Sequence, residues 1–292
     1  MSIRNNEERF GAKYQNIDPP LPQAKKQIET SEEEKEEIPS LSFSLPTEFV
    51  DLPSKGDFYP EGHPLHQQDT LEIRYMTARD EDILTSKSLL KKGVAIDRFL
   101  QNIIVNKQVK IDGLLTGDKN ALVIAARITG YGSEYKTKIT CPACGERSDN
   151  SYDLELATRT GVECPEGVER TPRGTFLMTA PKTKAKVELR LLTSTDEKTI
   201  LRMMKKKQKN KIPESPLTDQ LRLAISSVSG REEPHLINSF IASLPAFDAR
   251  YLRDVYSHLM PNVELREEFA CPTCGTEQEL EVPLTPDFFW PK

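Results

Sequence analysis

The sequence predicts an α+β protein made of two pseudo-symmetric repeats, each a strand followed by helices and a β-hairpin, with a four-cysteine site between them. Three observations carry this reading. The segment Leu71-Glu72-Ile73-Arg74-Tyr75-Met76-Thr77 matches Val187-Glu188-Leu189-Arg190-Leu191-Leu192-Thr193 nearly residue for residue, and an acidic pair follows each, Asp80-Glu81 and Asp196-Glu197. Asp118 stands 23 residues before Cys141, and Asp248 stands 23 before Cys271. Finally, Cys141-Pro142-Ala143-Cys144-Gly145 returns as Cys271-Pro272-Thr273-Cys274-Gly275. Blocks recurring in one order are the mark of an internal duplication, which governs every later assignment.

Each element follows from local pattern. Residues 1–40 are polar, rich in Pro and charge, and include Ser31-Glu32-Glu33-Glu34-Lys35-Glu36-Glu37. Such a stretch cannot bury enough apolar surface to offset its ordering, so it reads as a flexible acidic arm. Residues 41–65 mix apolar side chains with Pro and Gly, as in Leu52-Pro53-Ser54-Lys55-Gly56-Asp57-Phe58-Tyr59-Pro60, and read as an extended strap across the body. Repeat 1 is expected over 66–160, a Gly- and Pro-rich linker over 161–186, and repeat 2 with an apolar C-terminus over 187–292.

Within each repeat, alternating apolar residues predict a strand at Leu71 and again at Val187. Thr77 with Asp80, and Thr193 with Asp196, then predict a helix start of the capping-box kind. Ala95 to Val105 and Leu217 to Val228 carry apolar residues at helical intervals, as do Ala121 to Ile128 and Tyr251 to Leu259, for which Asp118 and Asp248 are the expected N-caps. Tyr135 to Ile139 and Val263 to Arg266 alternate as strands, and return strands are expected at Ser151 to Leu156 and Gln278 to Val282. Each Cys-Pro-x-Cys-Gly therefore sits on a hairpin tip.

That motif is a zinc knuckle. Two intervening residues let a turn aim both thiolates at one ion, Pro stiffens the entry and Gly relieves the exit. A structural zinc takes four such ligands, so Cys141, Cys144, Cys271 and Cys274 are expected to close on a single Zn2+ that staples the repeats, a zinc-ribbon-like site split across a duplication. Separate sites completed by His235, His258 or a partner chain, a redox dithiol, and a metal-free site are the alternatives. Cys164 has no Cys or His at ligand spacing and reads as a spare thiol.

Composition bounds the function. With 37% hydrophobic residues the chain can build a core. No stretch approaches the roughly 18 apolar residues of a membrane span, so no membrane partner is expected. A net charge of −5 argues against a protein that coats phosphate backbone, and nucleic acid is an unlikely partner. Four of five cysteines in C-x-x-C pairs point to metal binding in a reducing compartment. No enzyme motif is present: no Walker loop, no G-x-S-x-G, no H-E-x-x-H, and four thiolates would leave zinc no open position. Catalytic and organic-cofactor residues are therefore expected to be none. His63 and His66 read as loop residues, and Met203-Met204-Lys205-Lys206-Lys207-Gln208-Lys209-Asn210-Lys211 as a solvated helix end. The aromatic terminus Phe288-Phe289-Trp290 should dock on the chain's own core or on a neighbour.

The strap Leu52-Pro53-Ser54-Lys55-Gly56 with Phe58-Tyr59, the block Arg74-Tyr75-Met76-Thr77-Ala78 with Asp80-Glu81-Asp82-Ile83-Leu84, and the run from Tyr131-Gly132 to Cys-Pro-x-Cys-Gly together resemble the baseplate proteins of T-even-type contractile-tailed bacteriophages, over about Leu45 to Leu284. The resemblance implies a baseplate hub subunit or hub assembly protein without catalytic residues. It would be located in the virion tail baseplate, in the cytoplasm of the infected host, or both. Its partners would be other baseplate and tail proteins, with self-association left open. A zinc-ribbon nucleic-acid-binding protein is the alternative.

Overall fold

The arginine–aspartate pairs that follow the two matched strands set the local architecture. In the computed structural model, which describes residues 45–213, 215–282 and 286–289, strand β1 (Thr47–Asp51) pairs antiparallel with β2 (Thr70–Arg74). Helix α1 (Ala78–Thr85) starts immediately after, with Thr77 and Asp80 forming the expected capping box. Arg74 donates to both oxygens of Asp80 at 2.7 and 2.9 Å, locking the strand's end to the helix's first turn. The expected arm, residues 1–40, and Trp290 lie outside the described residues.

The chain continues through α2 (Lys87–Lys92), α3 (Ala95–Ile103) and α4 (Thr116–Tyr131), then the hairpin β3 (Glu134–Thr140) and β4 (Arg147–Asp153). Residues 157–186, rich in Gly and Pro, carry β5 (Thr158–Thr160), β6 (Glu169–Arg170) and β7 (Phe176–Thr179). Pro172 and Gly174 there make a tight turn, Thr171 accepting from Gly174 N–H and donating its own N–H to Thr175. The second matched strand, β8 (Lys186–Leu189), leads into α5 (Ser194–Lys209) through the same device, Thr193 with Asp196 and Arg190 bidentate at 2.8 Å.

Helix α6 (Pro216–Ala224) ends earlier than its apolar pattern suggests, because Ile225–Val228 leave the helix as β9 and complete the sheet β6-β7-β8-β9. Short apolar runs fit either period, and here a sheet edge takes the last four residues. The chain ends with α7 (Pro234–Ser243), α8 (Ala246–Leu259), β10 (Asn262–Glu264) and the hairpin β11 (Arg266–Ala270) and β12 (Glu277–Glu281). Mixed α and β structure is thus present, with eight helices and five small sheets among the described residues.

The expected N-cap role of Asp118 and Asp248 is corrected. Leu115 and Pro245 hold the cap positions, and both aspartates lie in the first turn, fully buried. Asp118 instead accepts from Ser54 N–H at 3.0 Å, Ser54 Oγ at 2.6 Å and Tyr59 OH at 2.6 Å. Asp248 accepts from the N–H groups of Lys182 and Thr183, each at 2.8 Å. Each carboxylate therefore ties down the loop that follows a strand, β1 in one case and β7 in the other.

Buried residues of the two halves run together into one hydrophobic cluster. Where they meet, Leu115 and Thr193 form an antiparallel bridge: Thr116 N–H donates to Leu192 at 3.2 Å and Ser194 N–H to Leu114 at 2.9 Å. Lys119 reaches Asp97 and Glu197, while Lys198 reaches Asp97 and Asp112. Gly117 is required by close approach, since a Cβ there would fall 1.8 Å from the Pro261 carbonyl oxygen.

The cap aspartates give a pH prediction. Burial alone would raise the Asp80 and Asp196 carboxyls, but the Arg74 and Arg190 hydrogen bonds, with those from Thr77 and Thr193, hold both below the usual carboxylate range. A depressed folded value contributes stability that is present above the ordinary carboxylate range and is lost as pH falls through the folded value. Denaturant titrations should show stability falling on acidification from neutral toward strong acid. Asp80→Asn should lower the neutral-pH plateau and flatten the acid limb; an unchanged limb would contradict the assignment.

Candidate metal centre

Two hairpins bring the sulfurs together. In β3 to β4, Cys141 closes the first strand, its N–H donating to Glu146 at 2.8 Å, and Gly145 N–H returns to the Cys141 carbonyl at 2.8 Å. In β11 to β12 the same bonds run from Cys271 to Thr276 at 2.9 Å and from Gly275 to Cys271 at 3.0 Å. Gly145 and Gly275 adopt φ of +76° and +71°, so glycine serves the turn's left-handed residue in both.

The pairing across the hairpins is reciprocal. Cys141 Sγ lies 3.7 Å from Cys274 Sγ, and Cys144 Sγ lies 3.7 Å from Cys271 Sγ. All four sulfurs fall within 4.8 Å of one another. Disulfide sulfurs sit near 2.05 Å, far closer than this. A tetrahedral zinc with thiolates at about 2.3 Å separates its sulfurs by about 3.8 Å, so these residues fit that ion in number, chemistry and spacing. Cys141 and Cys271 are buried and Cys144 and Cys274 exposed, one of each from either hairpin.

The two exposed thiols are shifted in opposite directions. Cys274 is pushed down to about 6, first by the Thr276 hydroxyl 3.2 Å from its sulfur and then by the Thr276 N–H. Cys144 goes the other way, up to about 12: a hydrogen bond with the Glu146 backbone lowers it, but desolvation and the neighbouring sulfurs outweigh that. Crowded sulfurs resist ionising together, and a bound cation would favour the thiolate form at each ligand.

Contacts within and between the two halves hold the hairpins. Arg127, on α4 and 1% exposed, donates to the carbonyls of Gly132 at 2.6 Å, Glu134 at 2.9 Å and Phe288 at 2.9 Å. Phe288 packs edge-on against Tyr135 with centroids 5.0 Å apart, and Phe289 against Phe99 at 5.4 Å. The apolar terminus therefore docks in the chain's own core, against the first half. In return, β5, which follows the first hairpin, pairs with β10, which precedes the second.

Other candidate residues fall elsewhere. Among the described residues the four cysteines are the one group of three or more potential ligands drawn together, and no histidine joins them. His258 Nδ1 lies 2.7 Å from the Asp254 carbonyl on an exposed face of α8. His63 accepts from Leu65 N–H and stacks on Tyr59, and His66 sits 2.7 Å from the Tyr59 carbonyl, so both serve their loop. Cys164 is exposed and outside the cluster. Lys207, within the basic run, is tied to the buried Asp219 at 2.6 Å. Sequence reasoning missed the Arg127 anchor and the loop ties of Asp118 and Asp248. An arginine on an otherwise apolar helix face was the available signal for the first.

A family model described as T4 bacteriophage base plate protein matches residues 45–290. No curated protein and no solved structure matches.

Proposed function

The chain belongs to the T4 bacteriophage base plate protein family, and from that premise we propose that it is a structural or assembly protein of the baseplate hub in a contractile-tailed phage, without catalytic activity. Its two halves are diverged copies of one module, and one structural Zn2+ held by Cys141, Cys144, Cys271 and Cys274 joins them. The observation that carries the reading is the reciprocal sulfur pairing, in which each hairpin contributes one buried and one exposed thiol to a common centre.

Three further correspondences support duplication: the Arg74–Asp80 and Arg190–Asp196 locks, the Asp118 and Asp248 loop ties, and the exchange of C-terminal segments between halves. A metal at such a junction acts by cross-linking, holding two modules in one orientation for contacts with other baseplate and tail proteins. The test is compositional. Mass spectrometry of fractionated infected cells should find the protein in baseplate or tail intermediates. Its absence from those fractions, together with retention on DNA at physiological salt, would contradict the role and favour a nucleic-acid-binding one.

A further inference from the structure

The two halves differ at one sheet edge. Strand β7 is covered on its outer side by β6, with Leu177 opposite Glu169. Pairing Pro53 of the strap with Pro181 of the linker aligns β1 with β7 and sets Phe49 where Leu177 stands. On β1, Tyr75 N–H donates to Pro46 at 2.9 Å and Leu52 N–H to Asp69 at 2.7 Å, so the even-numbered backbone groups face β2. The N–H and C=O groups of Thr47, Phe49 and Asp51 consequently point the other way. Among the described residues no strand pairs there.

Natural edge strands are usually kept short or blunted by charge or Pro, because an open row of donors and acceptors templates another strand. Strand β1 is short and carries Glu48 and Asp51, but no described strand covers its outward backbone groups. Here the central residue is Phe49, 66% exposed, with Leu45 and Tyr75 also exposed at the Pro46 end.

We infer that the outer edge of β1 is a β-addition site whose occupant is β1 of a second copy of this chain, paired antiparallel about Phe49. The sequence Thr47-Glu48-Phe49-Val50-Asp51 is self-complementary in that register, as a two-fold interface requires. Phe49 meets its own mate, Thr47 meets Asp51 and Glu48 meets Val50, so no like charges stand directly opposite. Arg159, 3.6 Å from Asp51, offsets the remaining acid at each end. The inference goes beyond the baseplate reading and does not depend on zinc.

The test uses the full chain with Cys164→Ser, which removes the exposed thiol outside the cluster. A two-fold antiparallel pair sets the two Phe49 Cα atoms at about 5.5 Å, within disulfide reach, so Phe49→Cys should yield a covalent dimer on mild oxidation. Phe247→Cys, at another exposed aromatic, should not. In sedimentation velocity the unmodified chain should show a dimer boundary growing with concentration. That boundary should be lost in Phe49→Lys and in Thr47→Pro, which removes an outward N–H without touching the bonds to β2. A monomer at every concentration, or equal cross-linking at positions 49 and 247, would overturn the inference, whereas loss of the dimer in both edge variants with unchanged circular dichroism would uphold it.

Discussion

Replacing Cys271 and Cys274 together by Ser is expected to loosen the first half of the molecule as much as the second. Zinc-finger peptides gain on the order of 10 kcal/mol from their metal, comparable with the whole stability of an ordinary domain at about 5–15 kcal/mol. The Cys141 hairpin is expected to depend on that term because its partners are sulfurs from the other hairpin, 3.7 Å away. Limited proteolysis should therefore cut near Cys141 in the double variant and in chelator-treated protein, with a large fall in Tm. Cys164→Ser should leave both unchanged. Cleavage confined to the second hairpin would mean that each module stands alone.

Arg127→Met is expected to be the most damaging single change away from the cysteines. The guanidinium is buried and holds three carbonyls, one of which, Phe288, comes from the C-terminal segment. Methionine fills comparable space but leaves the buried Phe288 carbonyl unpaired and the part-buried Gly132 and Glu134 carbonyls to water, and an unsatisfied buried group costs about 1–3 kcal/mol. A loss of about 2–3 kcal/mol should appear in denaturant unfolding, accompanied by increased exposure of Phe288 and Phe289. Arg127→Lys keeps the positive charge but supplies fewer donors in no fixed fork, and should recover only part of the loss. Full stability in Arg127→Met would show that the terminus docks by packing alone.

Local devices were the legible part of this fold. Thr77 with Asp80 and Thr193 with Asp196 cap their helices as their spacing indicates, since a capping box needs only residues three apart. Both Cys-Pro-x-Cys-Gly turns sit on hairpin tips for the same reason. Convergence of the two turns could be read as well, because four soft ligands at knuckle spacing have few other uses and the cysteines are otherwise scarce. What the residues concealed was non-local. Asp118 and Asp248 carry the signature of N-caps, yet their carboxylates serve Ser54, Tyr59, Lys182 and Thr183, which lie 59 to 66 residues away in sequence. Strands β6 and β7 hid among prolines and glycines because a tight turn and a boundary use the same residues. Ile225 to Val228 hid in a helical pattern for want of length to tell the periods apart.

Whether sulfur from both halves meets on one proposed ion can be read by zinc K-edge absorption on the purified full chain, with total metal measured on the same sample. One zinc per chain with four sulfur neighbours at about 2.3 Å is expected, and loss of the whole signal in Cys271→Ser/Cys274→Ser. Two zinc ions per chain, or a shell in which nitrogen or oxygen replaces half of the sulfur, would contradict it.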